Sequence, residues 1–267
     1  NNNIPGPVHL NIRFDEPLID VGQKEIVFKS KKINKTTKTS SFTIPNCKKP
    51  IIISSGLSNS KPKDILKLAK KLNCPIFSDP LSNLRHIKNN NILVYYDHYI
   101  DSLNDYPDCI IRFGTKPISK KLSIYINRLK NYTYLIDSNL KFNDDCPNII
   151  QGSLANIKIK INPKNKIDLH WKKKLFSFEK NTENFIKNLS FNKSEYYLIR
   201  TLTKNLLKND CIYIGNSMPI RTFDQFSGKL KNKIYIFSNR GASGIDGVVS
   251  SALGMSAINK KTKNYLI

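Results

Sequence analysis

From residue 49 onward, short apolar runs alternate with segments in which apolar residues recur every three or four positions. Runs of four to six apolar residues are typical of strands buried on both faces, and the longer spacing is typical of amphipathic helices. The strand-like runs are "PIIISS", "CPIFSDP", "NILVYYD", "DCIIRFGT" and "YTYLID", and the helix-like segments are "SKPKDILKLAKKL" and "PISKKLSIYINRL". This alternation predicts an α/β fold in which helices cover a parallel sheet.

The two predicted helices carry signals at their starts. Ser60 is the expected N-cap of the first helix, and Pro117 is expected in the first turn of the second. The residues expected on one face of the first helix are Ile65, Leu66, Leu68, Ala69 and Leu72.

Upstream of residue 49 the pattern changes. Residues 6–18, "GPVHLNIRFDEPL", alternate apolar and polar positions, which predicts a strand closed by Pro17. Residues 21–49 are polar and without periodicity, which predicts a linker.

Downstream, residues 168–189 and 194–207 have helical spacing and lead into a second α/β unit. In its first segment, "CIYIGNSMPIRTFDQF", a predicted strand is followed by Gly-Asn-Ser and then by a predicted helix. In its second segment, "KIYIFSNRGASGIDGVVSSALGMSAI", a predicted strand is followed by Ser-Asn-Arg-Gly and then by a predicted helix. A third strand is predicted to start at "NYLI".

Polar residues follow the first two strands of this unit. Because parallel strands end at one edge of their sheet, we expect Asn216, Ser217, Asn239 and Arg240 to lie close together, with Arg221 one helical turn further on. Two arginines, a hydroxyl group and the N–H groups of a helix start would bind an anion at this edge.

The glycines at Gly241, Gly244 and Gly247 allow a ligand to lie close to the backbone. Their spacing is not the G-x-G-x-x-G of a dinucleotide site. Asp246 is interpreted as a cap of the following helix, with a metal ligand as the alternative.

Other candidate residues have simpler interpretations. "SDPLSNLR", at residues 78–85, is typical of a turn, and His9 and His98 are interpreted as structural. Lys120 and Lys121 fit a solvated helix face and a ligand role about equally well. The sequence shows no nucleophile–base pair and no paired-carboxylate site.

The amino-acid composition limits the classes of function that the chain is expected to have. The net charge of +24 comes from lysines scattered over every segment, without the interleaved aromatic residues of a nucleic-acid-binding surface, so nucleic-acid binding is not predicted. Five separate cysteines indicate free thiols. Neither a membrane-spanning segment nor a signal peptide is predicted from these residues.

Five stretches, in the same order, resemble the 2-succinyl-5-enolpyruvyl-6-hydroxy-3-cyclohexene-1-carboxylate synthase family, whose members depend on thiamine diphosphate. They are "GPVHLNIRFDEPL", "SDPLSNLR", "RFGTKPISKKL", "GNSMPIR" and "SNRGASGIDGVVSSALG". The resemblance implies Rossmann-like parallel-sheet domains and decarboxylation of 2-oxoglutarate followed by addition to isochorismate, in menaquinone or phylloquinone biosynthesis. It also implies a homodimer or dimer of dimers in the cytoplasm, or in the plastid stroma of a photosynthetic eukaryote.

The resemblance also implies a domain plan. Residues 1–20 would be the tail of a pyrimidine-binding domain and 21–48 a linker. Residues 49–165 would be the central domain, 166–189 a connecting helix, and 190–267 the first part of a diphosphate-binding domain.

Roles for individual residues follow from the same resemblance. Substrate carboxylates would be bound by Ser217, Arg221, Arg240, Lys120 and Lys121. Thiamine diphosphate would be bound by Asn216, Gly241, Gly244 and Ile245, with Ile245 holding the cofactor in its bent form. From the residues alone, a core position for Ile245 is as plausible.

The family's activating Glu and its ligands for Mg2+ or Mn2+ are expected before Asn1 and after Ile267. The chain is therefore expected to be a partial sequence that does not bind the cofactor or turn over substrate alone. Two alternatives are another thiamine-diphosphate decarboxylase resembling acetohydroxyacid synthase, and a basic binding module without catalysis.

Overall fold

A six-stranded parallel sheet forms the larger part of the described fold in this computed structural model. The structure describes residues 41–138, 144–163, 165–189, 194–240 and 244–267. In the order in which they lie, the strands of this sheet are β4 (Ile92–Leu93), β3 (Ile76–Ser78), β2 (Pro50–Ser54), β5 (Cys109–Phe113), β6 (Thr133–Asp137) and β7 (Asn148–Gln151). The predicted α/β fold with a parallel sheet is confirmed. The predicted strand at residues 6–18 lies outside the described residues.

The apolar runs in the sequence correspond to strands that are buried in the fold. Every residue of β2 and of β5 is buried, because helices cover the sheet. The covering helices include α1 (Pro62–Leu72), α2 (Tyr96–Tyr99) and α3 (Lys120–Arg128). The predicted apolar face of α1 is confirmed, although Leu66 is only partly buried.

Both predicted helix starts are wrong. The N-cap position of α1 is Lys61, without a side-chain cap bond, and the Ser60 hydroxyl instead accepts a hydrogen bond from the N–H of Leu154 at 3.0 Å. Helix α3 starts at Lys120, because the Ser119 side chain accepts from the N–H of Leu122 and caps it there. Pro117 therefore lies before the helix.

Part of the predicted linker is a strand. β1 (Ser41–Ile44) pairs in parallel with β8 (Lys158–Ile161) in a separate two-stranded sheet. The alternation in "SFTI" is too short to be recognised without its distant partner. The linker prediction is therefore wrong for these four residues, and residues 21–40 lie outside the described residues.

The predicted second α/β unit is confirmed. Helix α4 (Leu169–Asn188) has Asp168 as its N-cap, and α5 (Glu195–Asn205) has Ser194. A three-stranded parallel sheet follows, in the order β10 (Tyr235–Phe237), β9 (Cys211–Tyr213) and β11 (Asn264–Leu266). Helices α6 (Met218–Phe226) and α7 (Val248–Ile258) complete the unit.

The order of the larger sheet determines where ligands are expected. Strands β2 and β5 are neighbours, and the chain runs outward from them on both sides, so the crossing direction reverses between them. A Cβ at Gly114, with φ of +86°, would lie 2.3 Å from the carbonyl oxygen of Gly56. The loops after β2 and β5 therefore contact each other backbone to backbone, at the kind of edge where open α/β sheets bind ligands.

Two sequence interpretations concern the whole described region. All five cysteines are free, as predicted, and all five are buried. None of the described helices combines the length and apolar character needed to cross a membrane. The described residues all belong to one compact unit, and the domain boundaries implied by the resemblance stay a prediction.

Candidate functional site

A cavity of about 710 Å³ is lined by loops from both sheets. The first wall follows the carboxyl ends of β2, β3 and β5 and consists of Gly56, Leu57, Leu81, Asn83 and Thr115. The second wall consists of residues 236–240 together with Gly244 and Asp246. Both apolar and polar side chains line it, as is usual for small-molecule sites.

Asn216 organises the second wall. Its side chain is buried, and its Nδ2 donates to the carbonyl oxygens of Asn239 and Gly244, both at 2.7 Å. Its Oδ1 accepts from the Ser238 hydroxyl at 3.3 Å and from Nη1 of Arg240 at 3.4 Å. The predicted meeting of the two strand ends is therefore confirmed for Asn216, Asn239 and Arg240.

Arg240 is the cation of this cavity. It is partly buried, and within the described ranges it makes no ion pair with a carboxylate. Burial raises the pKa of Asp79, and the positive charges of Arg85 and Arg240 oppose that rise. The positive charge of Arg240 therefore acts on a buried carboxylate behind the first wall.

Ser217 and Arg221 do not line the cavity. Ser217 precedes α6 with φ of 71° and is exposed. Arg221 is also exposed, because the buried face of α6 carries Ile220, Phe223 and Asp224 instead. Neither residue lines the Arg240 cavity, and their substrate roles stay predictions.

The glycine-rich segment gives a mixed result. Gly241 lies outside the described residues. Gly244 lines the cavity, and a Cβ there would meet no atom within 4 Å, so packing within the described chain does not require glycine. Ile245 is 67% exposed, so it is not part of the core formed by the described residues. Its cofactor role stays a prediction.

The cap interpretation of Asp246 is wrong. Helix α7 begins at Val248, its N-cap residue is Gly247 with φ of +67°, and no side chain caps it. Asp246 is exposed and lines the cavity. The described residues also contain no group of three or more His, Cys, Asp or Glu side chains that could hold a metal ion.

The lysine pair lies elsewhere. Lys120 lines a separate cavity of about 230 Å³ beside Arg112 and Asp144, and Lys121 pairs with Asp101 at 3.1 Å. Neither lysine lines the Arg240 cavity. The supporting role predicted for them at that cavity has no structural support.

Sequence reasoning missed the junction behind the first wall. Asp79 accepts from the N–H of Leu81 at 2.9 Å and opens a short 3-10 turn at Pro80–Ser82, as the turn interpretation predicts. Its other carboxylate oxygen accepts from the N–H of Ile118 at 2.9 Å. Arg85 is fully buried and pairs with Asp224 of α6. The sequence did contain one indication of this junction, because Arg85 lies in a short turn segment between two buried strands.

His98 has the structural role predicted for it. Its Nε2 lies 3.0 Å from the carbonyl oxygen of Gln225, and its ring packs edge-on against Phe226. His9 lies outside the described residues.

Comparison with known proteins places this geometry in context. Residues 21–214 match a family described as "Middle domain of thiamine pyrophosphate". The chain is similar to 2-succinyl-5-enolpyruvyl-6-hydroxy-3-cyclohexene-1-carboxylate synthase of Staphylococcus haemolyticus (strain JCSC1435), at 32% identity over 279 residues, covering 96% of this chain and 48% of that protein. The similarity to the synthase of Staphylococcus aureus (strain USA300) is 32% over 268 residues, with the same coverage. The chain spans about half the length of these relatives.

Proposed function

Because this chain belongs to the thiamine pyrophosphate enzyme family that carries this middle domain, we propose that the whole protein is a synthase of the kind its relatives are named for. It would decarboxylate 2-oxoglutarate and add the remaining four-carbon unit to isochorismate, in menaquinone or phylloquinone biosynthesis. The relatives' names support this reaction, since the identity of 32% extends over 96% of the chain. A homodimer or dimer of dimers and a cytoplasmic location are further parts of the proposal.

The observation that carries the proposal is the position of Arg240. Both proposed substrates are dicarboxylates, and a guanidinium group can hold a carboxylate through two parallel hydrogen bonds. Arg240 lines the cavity without a carboxylate partner among the described residues, and Asn216 restrains its guanidinium. The charge is therefore available to a substrate and is already oriented.

The described residues also suit thiamine diphosphate. Gly244 has open space where a side chain would be, and the neighbouring Ile245 presents an exposed apolar surface. When bound, thiamine diphosphate supplies the electron sink for loss of CO2 from a 2-oxo acid. Asn216 would hold the Gly244 backbone in place, and Ile245 would orient the cofactor. The Mg2+ or Mn2+ of the proposal has no ligand set among the described residues.

The remaining wall residues would control the surroundings of the charge. Leu57, Leu81, Ile236 and Phe237 bring apolar surface into the same cavity. A ligand that covers them displaces water, and the attraction between Arg240 and a carboxylate strengthens as the local dielectric falls. The chain's own residues would bind and orient the ligand, and they would exclude water from the cavity.

The test is steady-state kinetics of the whole protein with thiamine diphosphate, Mg2+, 2-oxoglutarate and isochorismate. Arg240→Ala should lower kcat/KM. The expected loss of transition-state stabilisation is roughly 2–5 kcal/mol, as for a charge pair that loses one partner. Arg128→Ala is the matched control, because Arg128 is exposed near the end of α3 and does not line the cavity.

Three outcomes would contradict the proposal. Near-normal kinetics of Arg240→Ala would remove the arginine from substrate binding. Turnover of pyruvate without any use of isochorismate would favour another thiamine-diphosphate decarboxylase. Salt-dependent binding to DNA or RNA with no turnover at all would favour a basic binding module.

A further inference from the structure

Leu57 has an unusual backbone conformation at the rim of the cavity. Its φ is 55°, in the left-handed region that disfavours side chains, and the residue is 75% exposed. The other non-glycine residues with positive φ in the described ranges are Asn73, Asn83, Asn209 and Ser217. Asn tolerates this region because its short polar side chain bonds locally, whereas leucine has no such compensation.

The surrounding loops hold Leu57 in this conformation. The carbonyl oxygen of Gly56 accepts from the N–H of Thr115 at 2.9 Å, which ties the loop after β2 to the loop after β5. A Cβ at Gly56 would lie 2.9 Å from Cβ of Leu81, so the backbone there is also packed against the turn after β3. The chain must therefore turn at residue 57, with Leu57 lining the cavity.

An exposed leucine in a disfavoured conformation gains little for folding. It buries little apolar area, so the hydrophobic effect does not offset the steric cost within the described chain. Glycine at this position would remove that cost. The observation therefore points to a contact that forms only when the cavity is filled.

We propose that Leu57, together with Leu81, forms the apolar subsite that recognises the ring of the cyclic dicarboxylate acceptor. The inference rests on the proposed function and adds a specificity residue to the same cavity. Arg240, on the opposite wall, binds a carboxylate of this ligand. The acyclic 2-oxo acid has no ring to place against Leu57, so the two substrates should respond differently to its removal.

The test is Leu57→Gly in the whole protein. We expect the KM for isochorismate to rise at least about tenfold, as for lost apolar contact in a binding pocket. The KM for 2-oxoglutarate should stay within about twofold. The thermal midpoint should stay equal or rise, because glycine adopts φ of 55° without strain. A structural role would lower the midpoint and affect both substrates together.

Two further variants sharpen the result. Leu57→Met keeps an apolar side chain and should keep the KM for isochorismate near that of the wild type. Asn209→Gly is the matched control, because Asn209 also has positive φ and is exposed but does not line the cavity. It should leave both KM values unchanged. Calorimetric titration of isochorismate into wild type and Leu57→Gly measures the lost affinity without turnover.

The outcomes separate this inference from the proposed function. A wild-type enzyme that uses both substrates, with an unchanged isochorismate KM in Leu57→Gly, would overturn the inference alone. A wild-type enzyme that does not use isochorismate would overturn the proposed function. If Leu57→Gly does not fold, the leucine is structural and the inference is wrong.

Discussion

At the scale of single residues, Arg85 shows how the cavity walls are held together. Its Nε donates to the carbonyl oxygen of Ser78 at 2.9 Å, which fixes it to the end of β3. Its Nη1 donates to the carbonyl oxygen of Asp224 and to the hydroxyl of Ser227, both at 2.9 Å. Its Nη2 pairs with the Asp224 carboxylate, which also accepts from the hydroxyl of Tyr96. One side chain thus joins the larger sheet to α6.

Removing Arg85 should therefore be costly. Arg85→Ala leaves the Asp224 carboxylate buried without its cation, and we expect a loss of about 3–5 kcal/mol in the free energy of unfolding. Urea denaturation followed by circular dichroism measures it. The double variant Arg85→Met with Asp224→Leu removes both charges and should recover much of that loss. If the single variant were as stable as the wild type, the pair would have no structural importance.

At the scale of elements, α7 differs from the other long helices. Its sequence, "VVSSALGMSAI", has no charged residue, and only Ala252 and Met255 are buried. Val249 and Leu253 are 61% and 66% exposed and follow Ile245 at intervals of four residues. Residues four apart lie on one side of a helix, so Val249 and Leu253 form one exposed apolar surface on α7. Contiguous exposed apolar surface is unusual in a monomer and binds apolar groups.

This surface predicts dye binding by the 267-residue chain. We expect enhanced fluorescence of 8-anilinonaphthalene-1-sulfonate, and Val249→Ser with Leu253→Ser should reduce it while leaving the thermal midpoint within about 3 °C. Leu198→Ser is the control, since Leu198 is 58% exposed on α5, outside this surface. Equal fluorescence from the wild type and the double variant would show that the dye binds elsewhere.

At the scale of the whole molecule, the two sheets meet at a buried junction with an excess of carboxylates. Burial raises the pKa of Asp224, the nearby Asp79 and Asp97 add to the rise, and Arg85 and Tyr96 oppose it, which together bring the pKa to about 7. One oxygen of Asp224, Oδ2, is buried without a hydrogen-bond donor in the described region. The ionised form is therefore poorly solvated, and the folded protein retains the proton to higher pH than the unfolded chain.

The stability of the chain should depend on pH in a defined direction. The ordinary pKa of an Asp side chain is 3.8, so between about pH 4 and pH 7 the folded state holds a proton that the unfolded state has lost. The free energy of unfolding should therefore fall as the pH rises through this window, by up to about 1.4 kcal/mol per pH unit.

Denaturant titrations at several pH values measure this slope. Asp224→Asn cannot ionise and should make the slope shallower, whereas the exposed Asp101→Asn should leave it unchanged. Part of the slope should remain in Asp224→Asn, because burial also raises the pKa of Asp79 and of Glu179. A slope in Asp224→Asn equal to that of the wild type would assign the proton to another group.

The sequence alone determined the α/β class, most of the parallel strands and most helices, because these depend on local periodicity. It did not indicate β1, β7 or β8. It did determine that Asn216, Asn239 and Arg240 meet, since parallel strands in one sheet end at a common edge. The exposed position of Arg221 was decided by which face of α6 packs against the core, and the sequence offered no marker for that choice.

Only the tertiary structure decided the rest of the site. The first cavity wall is built from loops after β2, β3 and β5, and nothing local in "SSGL" or "DPLSN" indicates that they face Arg240. The strand β1 depends on pairing with β8, more than a hundred residues away. Arg85 and Asp224 are charged residues whose burial is possible only because each compensates the other. Such contacts join distant parts of the chain, so their energies depend on the complete fold.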